Sequence, residues 1–434
     1  MRRGRDSAAA VLAVVGAVAL LPGVASVARA DDWAQGAHEA QRTNRASSSL
    51  DPAALRLRWN NPAYHSPLIV GNTLFATSAT SSFNLAAFNV DTGAVKWQAA
   101  AGTDLAEDRI AYGSGLLVYA ALSGSGSQLH TDLYVRDATT GALKYTTPLA
   151  FEDAGRDIVM GTDTATGRPV AYVATGLGNV QAVRLDASAG TVLWSDTGIS
   201  AGNLSILGDS LLTATVEHYY RIDRSSGAVT AIKSGNLSGG RNITPVVDAA
   251  RHQFYINGNE GSINAYSYDG AGGPVVALWS KSGAGIRDGT DVSLDVDGHV
   301  YANDENTLVE LDPASGTVVD SVGSSRFAIG AQPPIVSDNA VYAFTAYNDI
   351  LGPDLTAYSR STLDPLVTIA GDHSRAGTTY QFASAMDGTH FVFDESGISV
   401  YSAPEPGPIS LLLVGALAAT ASRRRRLSAA QRAG

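Results

Sequence analysis

The chain has 434 residues, no cysteine, 45 glycines, 7% aromatic residues and a formal net charge of −11, which is enough for two ordinary domains or one large repetitive one. The absence of cysteine excludes a disulfide scaffold, a thiolate metal site and a lipoprotein signal. Both ends are basic, so residues 31–403 are more acidic than the whole, and no nucleic acid is expected as a partner.

The N-terminus runs Met1-Arg2-Arg3-Gly4-Arg5, then an apolar stretch from Ala8 to Leu21, then Ala28-Arg29-Ala30. A basic start, an apolar run shorter than the ~20 residues of a spanning helix and a small-x-small site predict a secretory signal over 1–30, cut between Ala30 and Asp31. A retained anchor is the alternative. Residues 31–53 read as a polar lead-in, and Asp31 to Leu50 are expected to be mobile.

From residue 54 the sequence repeats itself. Leu85-Ala86-Ala87-Phe88-Asn89-Val90-Asp91-Thr92-Gly93-Ala94-Val95-Lys96-Trp97 recurs as Leu133 to Tyr145, as Val180 to Asp186 with Gly190 to Trp194, and as Tyr219 to Val229. Further copies begin near Ile263, Leu308, Leu355 and Ile398, a spacing of about 45 residues, the period of four-stranded propeller blades. Each copy has two alternating apolar runs around a turn of Asp, Ser, Thr and Gly, the pattern of paired antiparallel strands. A second hairpin precedes it, as at Ile69 to Ala76, Asp295 to Tyr301 and Ile335 to Tyr342, with Asn, Asp or Gly at the turn. Residues 54–403 therefore predict an all-β, eight-bladed propeller of four-stranded antiparallel blades. The last copy runs into the C-terminal tail without an outer strand, and Leu57-Arg58-Trp59 looks like an outer strand with no blade in front of it. We expect residues 54–60 to close blade eight; a seven-bladed ring is the alternative if they do not.

The repeat Ala-x-Asn/Asp-x-x-Thr-Gly-x-x-x-Trp, clearest at Ala87 to Trp97 and partly kept at Asp137 to Tyr145, resembles the PQQ-like repeat of quinoprotein propellers. The resemblance implies that Trp59, Trp97, Tyr145, Trp194 and Trp279 dock one blade on the next. Blades four, six and seven carry Ala231, Asp320 and Thr368 at the comparable place. The resemblance also implies a central channel that holds PQQ over calcium in the dehydrogenases of that family. No motif here places the calcium ligands and no cysteine pair exists, so neither cofactor nor metal is expected, and PQQ with calcium is kept as the alternative.

Other candidates for chemistry are sparse. Ser293 to Asp304 has carboxylates at partly EF-hand-like spacing, but a hairpin turn at Asp297-Gly298 accounts for it. The histidines lie apart, with no His-Glu-x-x-His, and read as surface or channel-lining groups. No Gly-x-Ser-x-Gly occurs, and no catalytic residue is assigned. Loops between second and third strands lengthen at Ser123 to Thr131 and Tyr347 to Pro353, with Ala79 to Phe83 intermediate. In a ring these crowd one sector, so Ser123, His130, Tyr347, Asn348 and Asp349 form a candidate partner face.

The chain ends Pro404-Glu405-Pro406-Gly407-Pro408, an apolar run from Ile409 to Ala421, and Arg423-Arg424-Arg425-Arg426. The prolines keep the approach extended and the arginines favour the cytoplasmic side. This resembles the PEP-CTERM sorting signal of Gram-negative bacteria, and residues 404–434 are read as a sorting tail. The resemblance implies recognition by an exosortase-type membrane protease, export across the inner membrane, transient membrane contact through both termini, and delivery to the cell surface or beyond. The expected function is a non-catalytic binding or scaffold protein, facing exopolysaccharide or envelope proteins. The alternatives are a PQQ- and calcium-dependent oxidoreductase, and an assembly scaffold resembling the propeller that serves outer-membrane protein insertion.

Overall fold

The computed structural model describes residues 42–403 except 48, 79–83, 101–104, 124–129, 151–154, 176–178, 197, 200–201, 216–217, 235–243, 259–261, 270–273, 283–291, 305–306, 324–332, 347–352, 371–382 and 395–396. Eight four-stranded antiparallel sheets form a β-propeller. In blade 1 the order from centre to rim is His65–Val70, Thr73–Thr77, Leu85–Asn89 and Val95–Ala99. The same order repeats through blade 7, and helix among the described residues is one short 3-10 turn, Pro52–Ala54.

Blade 8 joins the two ends of the domain. Its strands from the centre outward are Ala383–Met386, His390–Asp394, Ile398–Ser402 and, from the N-terminal side, Arg56–Asn61. Arg56 pairs with Ser402 and Asn61 with Ile398, with a bulge between Leu57 and Trp59. The expected closing strand is therefore present, and it covers the edge that the last repeat would otherwise leave open.

The alternating pattern places the core. Second strands bury Tyr119, Tyr172, Tyr255, Tyr301 and Tyr342 almost completely, and several hydroxyls find partners there, as buried phenols require. Tyr119 accepts from Arg136 Nε at 2.9 Å and Tyr172 from Arg224 Nε at 3.0 Å. Outer strands alternate instead: in Val95–Ala99, Trp97 is buried while its neighbours face solvent.

Blades lock to one another through the outer strand of one and the last turn of the next. Trp59 Nε1 donates to Val90 O (2.8 Å), Trp97 to Ala138 O (3.0 Å), Trp194 to Arg224 O (2.8 Å) and Trp279 to Pro313 O (2.9 Å). Tyr145 makes the same reach with its hydroxyl, to Asp186 O at 2.8 Å. Each tryptophan ring lies on a turn glycine at positive φ: Gly93, Gly141, Gly227 and Gly316. A Cβ on Gly141 would stand 2.5 Å from the Trp97 ring, so packing as well as backbone conformation demands glycine there.

Blade 7 breaks the pattern in an instructive way. The turn position that is glycine elsewhere is Leu363, at φ 48 and 1% exposed, and its N–H bonds Ser359 O as the glycines bond their own turns. Blade 6, which precedes it, has Asp320 in place of tryptophan. The leucine side chain packs with Tyr301 and Leu308 of blade 6. In blade 7 the residue paired at the tryptophan register is Val367, opposite Ala357, and Thr368 is one step further on; four-residue spacing from Leu363 gives the same answer.

The lead-in differs most from expectation. Asp31 to Leu50 is expected to be mobile; Asp31 to Gln41 and Ser48 lie outside the described residues, and of the rest Arg42, Thr43, Asn44, Ala46 and Leu50 are buried. The reason is that the ring offers this segment unpaired strand edges, which outweigh the polar composition that made it read as solvent-exposed.

Candidate functional site

Innermost strands turn a free edge toward the centre of the ring, so the channel wall carries backbone N–H and C=O groups in need of partners. Residues 43–46 supply them on one side. Leu294 N–H donates to Thr43 O at 3.0 Å, Val336 N–H to Asn44 O at 3.0 Å, and Ala46 N–H to Val336 O at 2.8 Å. Leu294 and Val336 end the innermost strands of blades 6 and 7, Ser293–Leu294 and Ile335–Val336.

Arg42 spans to the other wall. Its Nη2 lies 2.7 and 2.8 Å from the two Asp157 oxygens and 3.4 Å from Ile158 O, and its Nε donates to Leu204 O at 3.1 Å. Asp157 belongs to the innermost strand of blade 3, Gly155–Thr162, and Leu204 opens that of blade 4, Leu204–Leu207. Asp157 Oδ2 also accepts Leu204 N–H at 2.7 Å. With side chains 5% and 12% exposed, this is a buried ion pair whose two members need each other.

Asp157 stands near the start of its strand and Val336 at the end of its own, so the segment crosses the channel from the side of the blade-to-blade loops to that of the hairpin turns. It leaves past Leu50, whose carbonyl accepts Asn339 Nδ2 of blade 7 at 3.0 Å. In the family that the repeat resembles, this channel holds the quinone. Here Thr43 to Ala46 pair with the innermost strands of blades 6 and 7, and Asp157 is paired with Arg42.

The EF-hand-like string forms the hairpin turn expected for Asp297-Gly298, with Gly298 at φ 78. Asp295 and Asp297 of the string are answered by the protein, with Arg360 Nη1 3.1 Å from Asp295 and 3.3 Å from Asp297, and His299 Nδ1 lies 2.5 Å from Glu310 of the adjoining strand. Burial pushes the Glu310 carboxyl up, and His299 opposes the shift. Among the described residues no group of three or more His, Asp or Glu side chains is placed to hold a metal ion.

The sequence missed His390, which is 2% exposed rather than on the surface or lining the channel. Nδ1 lies 3.0 Å from Asp387 of its own turn and Nε2 2.9 Å from Asp91 of blade 1, so the ring clasps across the closing blade. Burial would raise the Asp387 carboxyl, but hydrogen bonds from His390 and from the Thr389 and His390 N–H groups outweigh it and hold it below the usual range. The signal was Asp-Gly-Thr-His, a turn carboxylate three residues before a histidine.

Of the candidate partner face, Ser123 and His130 pair across the base of their loop. Ser123 Oγ lies 2.9 Å from Tyr134 OH, and His130 Nε2 lies 3.5 Å from Asp132. Tyr347, Asn348 and Asp349 lie outside the described residues, as do Ala28, Ala30, Pro404, Glu405, Pro406 and Arg423 to Arg426. Segments 78–84, 124–129 and 347–352 are the longer second-to-third connections, in blades 1, 2 and 7; blade 8 has only 395–397.

Residues 41–233, from the channel segment through blade 4, match the family PQQ_2, described as outer membrane protein assembly factor BamB. That match spans less than half of the chain. No match was found among curated proteins. The ring is similar in fold to a europium-containing methanol dehydrogenase, with TM-score 0.61, 11% identity, and 85% of this chain and 90% of that one covered. It is similar also to BamB from Moraxella catarrhalis, with TM-score 0.55, 15% identity, and coverage of 82% and 100%. A quinohemoprotein alcohol dehydrogenase from Comamonas testosteroni gives TM-score 0.58, 12% identity, and coverage of 87% and 81%. Identities this low speak for fold alone.

Proposed function

We propose that this chain is an exported, exosortase-sorted cell-surface propeller that works as a non-catalytic binding or scaffold protein, associated with exopolysaccharide or envelope proteins. The observation that supports the non-catalytic part is the segment held in the channel: Arg42 pairs with Asp157 of blade 3, and Thr43 to Ala46 pair with the innermost strands of blades 6 and 7. The export and sorting parts rest on the signal over 1–30 and on Pro404-Glu405-Pro406 followed by Arg423 to Arg426. Function on this frame would lie on loops over a rigid ring.

The test is expression of the full chain and of a Glu405→Ala variant in an exosortase-bearing host, with surface fraction and sedimentation with the host's exopolysaccharide as readouts. The proposal predicts a processed, surface-exposed wild type that cosediments and a variant that stays in the inner membrane. A wild type that remains unprocessed in the inner membrane, or that cosediments with neither polysaccharide nor envelope proteins, overturns it.

A further inference from the structure

We propose that the central channel is a binding site for an extended, arginine-bearing peptide segment of another protein, and that residues 42–46 are its resident occupant in cis. This goes beyond surface binding to glycan or envelope and does not depend on it.

The channel's own contents define what it accepts. Two adjacent innermost strands, in blades 6 and 7, offer Leu294 N–H and both Val336 groups to an extended backbone, and the occupant meets them through Thr43, Asn44 and Ala46. On the facing wall Asp157 takes a guanidinium through both oxygens. Backbone pairing supplies sequence-tolerant affinity, and a guanidinium whose Nη2 meets the buried Asp157 carboxylate while its Nε meets Leu204 O supplies selection for arginine. The wall therefore reads as a strand-addition site with one charged pocket.

The occupant fits this site imperfectly. Arg42 and Asn44 both stand at positive φ, 61 and 50, a region that costs a residue with a Cβ. Asn44 Nδ2 is buried and has no hydrogen-bond partner among the described residues. The segment accepts this strain because its C-terminal side must turn out past Leu50 to reach the closing strand at Arg56. A segment supplied in trans carries no such tether and can keep the Asp157 contact in relaxed backbone geometry. Displacement would open the channel without unfolding any blade, since Arg56–Asn61 is held separately by Ile398–Ser402.

The test uses the full chain with a protease site built in beside Ser47 and Ser49, both exposed, and cut only after folding. The probes are a labelled peptide matching residues 42–47 and the same peptide with alanine for its first arginine. The expected result is exchange of the cut segment for the arginine peptide, with affinity about ten- to hundred-fold above that of the alanine peptide, the range for hydrogen bonds to a charged group. Asp157→Asn should remove the difference between the peptides. Failure of the cut segment to exchange, failure of both peptides to bind, or equal binding of the two overturns the proposal, whatever the glycan assay shows.

Discussion

Arg42 and Asp157 meet across the channel through two contacts of 2.7 and 2.8 Å, joining a segment that precedes every blade to the innermost strand of the third. The pair is buried on both sides, so its energetics are asymmetric: the formed pair adds modest net stability, while an orphaned partner is costly. Asp157→Leu leaves Arg42 without its carboxylate and should expel the segment from the channel. Hydrogen exchange at Leu294, Val336 and Ala46 should rise well ahead of exchange in the blades. Unchanged protection at those amides would show that the backbone contacts hold the segment alone.

Trp97 and Gly141 allow a sharper comparison. Gly141→Ala forces a Cβ to 2.5 Å from the ring at φ 72, whereas Gly115, at φ 76, has open space around it. Gly115→Ala should cost about 1 kcal/mol through backbone conformation, and Gly141→Ala about 2–4 kcal/mol because the ring must also move. Urea unfolding of the two variants checks this, and equal losses would mean that docking contributes nothing.

Leu363 reverses the usual advice for a positive-φ turn. Leu363→Gly relieves a strain of about 1 kcal/mol but empties a fully buried side-chain site, which costs about 3–5 kcal/mol. The variant should be less stable by about 2–4 kcal/mol. A stabilised variant would show that Leu363 is not the substitute for a tryptophan that blade 6 lacks.

Turn carboxylates predict the acid limb of stability. The Thr191 hydroxyl first, then Arg168 and Arg184, hold Asp186 down to about 2, and hydrogen bonds within their turns lower Asp137, Asp223 and Asp312 as well. A folded-state value below the unfolded one gives stability that is present above about pH 4 and is lost as pH falls toward the folded value. Midpoints of urea unfolding should therefore fall between pH 4 and 2, less steeply in Asp186→Asn. A flat profile would contradict this.

What was legible in the sequence was what repeats. Leu85 to Trp97 and its copies exposed the blades, and the stray Leu57-Arg58-Trp59 exposed the closure, because a strand without a blade has one obvious place to go. Arg42 and Asp157 were not legible: they share no repeat, stand 115 residues apart, and Thr43-Asn44-Arg45 has the composition of a loose linker. Burial there comes from the free edges of the channel wall, which exist only after the ring is built. Leu363 was half legible, since the missing turn glycine and the missing tryptophan of blade 6 are both visible but gain meaning only as neighbours. The offset between Val367 and Thr368 was lost because the last turn of blade 7 has no glycine to count from.

The most direct measurement is thermal unfolding of the exported chain with PQQ and millimolar-order calcium. A ligand at 100 times its dissociation constant adds about 2.7 kcal/mol, and a channel occupied by residues 42–46 predicts no shift at all. A clear upward shift that requires both PQQ and calcium would contradict the account, because the quinone would then have to enter the space that Arg42 and Thr43 to Ala46 fill.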